Sequence, residues 1–201
     1  IQLLHDIYDW NLSSEFNEGQ VSIIRDSAWK IRDYLSDLRN SDDMYLMKKL
    51  FGGIMFRYNT ELNQFLKSSV GPSAESVHLY KDFERLGWKP KGSVGMVIHE
   101  LGHVLDNRMG LETPRIIYCT QYYCEASPAV IDGGGPADSL VDYIGGTKSW
   151  PYRFLGFTYI PPMFRFQGDF EYGNNSSADY FAQAFMANVL GNGSPYVTSL
   201  W

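Results

Sequence analysis

The chain has 201 residues, 44% of them hydrophobic, which is enough for one domain with a sizeable core. Its 17 basic residues against 23 acidic ones leave it mildly acidic. No basic tract concentrates the charge, so a phosphate backbone has no footprint here and no nucleic-acid partner is expected. No run approaches the ~18 consecutive apolar residues of a membrane span.

Residues 1–16 show no clear period and read as irregular. Over 18–39, Ile24, Ala28, Ile31, Leu35 and Leu38 recur at spacings of 4-3-4-3 with charged residues between them, which predicts an amphipathic helix packed on a core. A shorter helix over 43–51 carries Met44, Met47, Leu50 and Phe51 and stops at Gly52-Gly53. Residues 54–58 and 76–81 read as strands, and the turn-rich stretch from Gly87 to Gly92 leads into the next element. His5 and His78 are read as packed or solvated side chains rather than ligands.

That next element carries the chemistry. Val94, Val97, Ile98, Leu101, Val104 and Leu105 form one stripe of a helix expected over 93–109, with Ser93 as N-cap and Gly110 just past its end. His99, His103 and Asp106 fall on the opposite side, with Glu100 at the edge of the histidine face. Two imidazoles four residues apart on one helical face can share a metal ion, and the glutamate between them can accept a proton from water: this is His-Glu-x-x-His. A solvated polar face would account for the stripe but not for the ligand spacing.

Beyond Gly110 the character changes. Residues 111–175 are rich in turn signals such as Gly133-Gly134-Gly135-Pro136, and 150–172 are dense in aromatics, suited either to substrate pockets or a lid, or to filling the core of a loop-rich subdomain. A last helix is expected over 177–190, ending at Gly191. The two cysteines, Cys119 and Cys124, are spaced to close a small disulfide loop or to be two buried thiols. With a chain that starts at Ile1 rather than Met, the cysteine pair fits an enzyme secreted after loss of a leader.

Catalytic zinc usually takes three protein ligands and keeps one position open. A histidine six residues after His103 would complete one known pattern, but Met109 stands there. Glu125 and Glu171 are possible third ligands; Asp179, opening the last helix beside a stripe of Ala178, Phe181, Ala182, Phe185 and Val189, is the better one. Asp179 also fits the capping box Ser176-Ser177-Ala178-Asp179, so the two roles compete at this residue.

His-Glu-Leu-Gly-His-Val-Leu-Asp (99–106) together with Asp-Tyr-Phe-Ala-Gln-Ala-Phe (179–185) resembles the gluzincin-type peptidases related to the anthrax lethal factor catalytic domain and the secreted Pro-Pro endopeptidases. That family pairs His-Glu-x-Gly-His with a downstream Glu-x-Phe-Ala-Glu-Ala-Phe. The match covers about 30 residues in two blocks. The resemblance implies an α+β zincin-like fold: a small mixed sheet plus the active-site helix, then a loop-rich and helical C-terminal part. A single catalytic domain is expected, with lobes at about 1–110 and 111–201. It also implies one catalytic Zn2+ on His99, His103 and Asp179, Glu100 as general base, and Tyr172 as oxyanion donor seven residues before the third ligand. Asp106 and Gln183 are supporting residues near the ligands. Asp179 is one methylene shorter than the family's glutamate, so its helix must approach the metal more closely. Gln183 replaces a second glutamate.

The function expected is zinc-dependent hydrolysis of a peptide or protein substrate, whose extended backbone would pair with an edge strand best assigned to 76–81. The competing expectation is a degenerate zincin that binds zinc or a partner protein without catalysis.

Overall fold

The computed structural model describes residues 2–39, 43–60, 68–70, 75–81, 83, 92–109, 116–119, 124–127, 136–146, 160–166 and 177–191. The N-terminal segment is not irregular. Gln2–Tyr8 form a short helix (α1) that buries Leu4 and Tyr8, and Asn11–Leu12 form a two-residue strand (β1). Two buried positions in seven residues are too few for a period to stand out in the sequence.

Two helices follow with the expected bounds, α2 (Glu18–Arg39) and α3 (Asp43–Phe51). Asn17 and Gln20 open α2 reciprocally: the Gln20 backbone N–H donates to Asn17 Oδ1 and the Asn17 N–H to Gln20 Oε1, each at 3.0 Å. The stripe of Ile24, Ala28, Ile31 and Leu35 is buried. At the end of α3, Gly53 adopts φ +75°, a conformation that costs a glycine little, and turns the chain into the sheet. Trp10 is fully buried and donates its indole N–H to the Phe51 carbonyl at 2.7 Å, tying this turn to the N-terminal segment.

The main sheet contains β1, β2 (Met55–Asn59), β3 (Ser68–Val70) and β4 (Ser76–Tyr80) in the order β1-β2-β4-β3. β1, β2 and β4 run parallel, and β3 closes one edge antiparallel to β4. This corrects the edge assignment: 76–80 is an interior strand, and the edge beside it is β3. The three-residue β3 carries too little sequence for alternation to reveal it. Phe56, Val77 and Leu79 point into the core, whereas Arg57, Ser76 and His78 lie on the other face.

Helix α4 (Gly92–Met109) packs against α2, α3 and β3. It starts one residue earlier than expected, and Ser93, inside its first turn, donates Oγ–H to the Phe83 carbonyl at 3.3 Å instead of acting as N-cap. Then come a hairpin, β5 (Ile116–Cys119) with β6 (Cys124–Ser127), helix α5 (Pro136–Tyr143), a single 3-10 turn (Pro162–Phe164) and α6 (Ser177–Val189). One hydrophobic cluster joins Ile24, Phe56 and Val97 to Val141, Phe181 and Met186, so residues from both sides of position 110 share a core. The result is a mixed α/β fold. Among the described residues no helix is long and apolar enough to cross a membrane.

Most of the aromatic stretch over 150–172 lies outside the described residues. Of its members, Phe166 is buried with its ring tilted against that of Tyr180, centroids 5.1 Å apart, and Tyr180 donates its O–H to the Phe164 carbonyl at 2.8 Å. These aromatics fill core.

Candidate metal centre

The helix that bears the histidines was expected to have one apolar and one polar face. Instead its polar face is covered by α6: His99 is 1% exposed and Glu100 5%. From Tyr180 to Val189 every residue of α6 is buried, so the helix is held between α4, α5 and the rest of the core.

What lets the helices approach is the small residue within each motif. A Cβ placed on Gly102 would lie 2.8 Å from the Ala182 Cα and 3.2 Å from its Cβ, so any other residue would force α6 away. Sequence reasoning gave Gly102 no role and read Ala182 only as part of the apolar stripe of its helix. The signal was present, a glycine and an alanine in the middle of two motifs whose helices must meet.

The close contact delivers Asp179, in the first turn of α6, to the histidines. Its Oδ1 lies 3.4 Å from His103 Nε2 and 4.0 Å from His99 Nε2, and the two Nε2 atoms are 3.1 Å apart. Ligand atoms at about 2.05 Å from a tetrahedral ion would be about 3.3 Å from one another; two of the three separations are close to that, and the His99–Asp179 separation is longer. Two basic nitrogens and one carboxylate oxygen, all drawn together within 4.8 Å, could hold a metal ion. Among the described residues this is the one such group.

The electrostatics divide the pair. Burial lowers the pKa of His99 to about 3, helped by the charge of His103, and the opposite pull of Asp179 and Gln183 does not compensate. Burial also acts to lower His103, but its hydrogen bond to Asp179 and the charges of Glu100, Asp179 and Asp106 outweigh it and raise the pKa. When a proton is present, it sits on His103.

Gln183, one turn after Asp179, is fully buried beside His99. Neither Oε1 nor Nε2 has a hydrogen-bond partner among the described residues. The amide nonetheless pulls the His99 pKa up, against the larger effect of burial. Asp106 is buried and its Oδ1 accepts the Ala137 N–H at 2.8 Å, which fastens the start of α5 to α4. Its charge also reaches His103, so it serves both the helix and the centre.

His78 stands apart from this group, as expected: its Nε2 is 3.1 Å from Ser76 Oγ and its Nδ1 3.4 Å from Asn59 Nδ2. Tyr172 and Glu171 lie outside the described residues, and Glu125 is on β6. The β5–β6 register sets Cys119 opposite Cys124. No family model, curated protein or solved structure matches the chain.

Proposed function

We propose that the protein is a zinc-dependent peptidase of the zincin type. The observation that carries this reading is the convergence of His99, His103 and Asp179 from two helices 76 positions apart (179 − 103), with Glu100 buried beside them. His99 Nε2, His103 Nε2 and Asp179 Oδ1 would hold the ion, and two nitrogens with one oxygen suit Zn2+. When bound, such an ion polarises a carbonyl and makes a water more acidic.

The remaining steps belong to the chain. Glu100 takes the proton from the attacking water and passes it to the leaving amine. A purely structural zinc site has no use for that carboxylate. Gln183, buried beside His99 with neither its amide nor His99 Nδ1 in a hydrogen bond among the described residues, would orient the ring by turning its Oε1 to that nitrogen. Tyr172 donates to the oxyanion. The substrate is a peptide whose extended backbone adds to β3, the sheet edge that packs on α4. Secretion is part of the same reading, supported by the cysteines that face each other in register.

Gln183 favours a second reading, a degenerate zincin that binds zinc or a partner without catalysis, because a neutral amide stands where the resembled peptidases have a carboxylate. One experiment separates the two. The zinc-loaded protein and its Glu100→Ala variant are incubated with a diverse peptide library and cleaved bonds are read by mass spectrometry. Cleavage by the parent alone establishes the peptidase; equal cleavage by both rejects the role of Glu100. A zinc-loaded parent that cleaves nothing favours the non-catalytic reading.

A further inference from the structure

A second polar space lies away from the metal centre. It is a cleft of about 450 Å³, within the size range of small-molecule sites, walled by Arg57, Glu75, Ser76, Arg108 and the Gly52–Gly53 turn. The fold assembles it from four chain ends: α3 finishes at the glycines, the last turn of α4 brings Arg108, and β2 and β4 start here. The register pairs Met55 with Ser76 and Arg57 with His78, which puts Arg57 and Ser76 on one sheet face, turned from the core. Arg108 is five residues past His103, about 7.5 Å further along α4, and none of the metal-binding side chains lines the cleft.

Its walls are held in place. Arg108 is half-buried, and its Nη1 donates to the Leu50 carbonyl at 3.0 Å, which fixes the guanidinium. Burial pulls the Arg108 pKa down, while the charge of Glu75 pulls it up, so this cation gains from a negative neighbour. Ser76 Oγ is steadied by His78, and His78 in turn by Asn59. Arg57 and Glu75 are exposed and form no salt bridge among the described residues. The side chains lining the cleft thus carry two positive charges and one negative.

We propose that this cleft binds a small oxyanion, a carboxylate or phosphate group clasped between Arg57 and Arg108 with Ser76 Oγ alongside. Planar guanidinium forks match such groups, and charge-assisted bonds are the strong ones. The site is independent of the metal reading.

The test is a titration of the isotope-labelled protein, as purified, with inorganic phosphate and separately with succinate at constant ionic strength, followed by amide NMR. The expected result is saturable movement of the Gly52 and Gly53 signals. The anion that binds more tightly identifies the head group. Arg57→Ala, at an exposed position outside the core, is expected to weaken binding about tenfold or more. Glu75→Gln is expected to tighten it by removing a like charge. Absence of saturable movement with both anions, or an affinity unchanged in Arg57→Ala, overturns the site. Weaker binding in Glu75→Gln overturns a simple oxyanion as its ligand.

Discussion

His99 and His103 are one helical turn apart and their rings meet edge-on at 4.8 Å, yet their environments push them in opposite directions. The folded His103 has a pKa above the ~6.5 of an unfolded histidine, so its protonation stabilises the metal-free fold below that value, and the contribution is lost as pH rises through the raised pKa. His99 runs the other way: its neutral form is favoured above ~6.5, and stability falls as pH drops toward its folded value of about 3. Because His103 must shed its proton to ligate, zinc affinity is expected to climb about tenfold per pH unit below the raised pKa and then level off. Competition titration across pH checks this, and Asp179→Asn, which removes the largest of the contributions that raise His103 while leaving those of Glu100 and Asp106, moves the plateau to lower pH. At Glu100 the expectation is a loss of about 10²–10⁴ in turnover for Glu100→Gln with zinc content unchanged after dialysis. Asp179→Ala, in contrast, releases the metal on dialysis. Retention of a full equivalent of zinc there would assign the third ligand elsewhere.

Between helices, the decisive contact is Gly102 on Ala182. Gly102→Ala forces a Cβ to 2.8 Å from the Ala182 Cα, and backbone cannot yield as a flexible side chain does. Overpacking of this kind costs about 1–3 kcal/mol. The displaced α6 also carries Asp179 away from the histidines. The variant is therefore expected to lose zinc affinity out of proportion to its drop in melting temperature, compared with a core variant such as Ile31→Val. Adding Asp179→Glu, one methylene longer, restores affinity in the Gly102→Ala background but leaves the stability loss in place. Calorimetry and zinc competition on the four proteins of this cycle decide it. The α4–α5 joint gives a smaller effect: Asp106→Ala removes the acceptor for the Ala137 N–H and is expected to cost about 0.5–2 kcal/mol, as loss of a helix cap does. These contacts mark where sequence reading ran out. A helical wheel puts Asp106 on the histidine side, but the wheel fixes direction and not partner. Helix α2 was legible because its stripe repeats over several turns, and the shorter α3 because its apolar positions end at Gly52-Gly53. Strand β3 was not, since three residues are too few to set a period, and neither was α5: although Ala137, Leu140 and Val141 repeat at helical spacing, it directly follows the Gly133-Gly134-Gly135 run that reads as turn. The grouping of His99, His103 and Asp179, which could hold a metal ion, was legible because a metal-ligand pattern restricts residue type and spacing far more than packing does.

At the scale of the whole molecule, the question is whether the fold needs the ion. The proposed ligands come from α4 and α6, far apart in the chain, so a bound ion would link those two segments. Those helices are already joined without it: Val97, Leu101 and Val104 share one buried cluster with Phe181, Phe185 and Met186. A small zinc-dependent domain lacks such a core and unfolds without its metal. Here, on the proposed reading, a zinc ion would add only its binding free energy, about 2.7 kcal/mol when free zinc is a hundred times its dissociation constant. For a chain of this size each kcal/mol shifts the melting temperature by about 2–4 °C, so removing zinc is expected to lower it by about 5–11 °C. Far-UV circular dichroism at 25 °C is expected to be unchanged by a chelator, because the helices keep their packing. Collapse of the helical signal on chelation would mean that the ion is structural, and Glu100 would then lose its place as a general base. A modest melting shift with activity abolished, and both restored by added zinc, is the behaviour of a centre built onto a fold that stands without it.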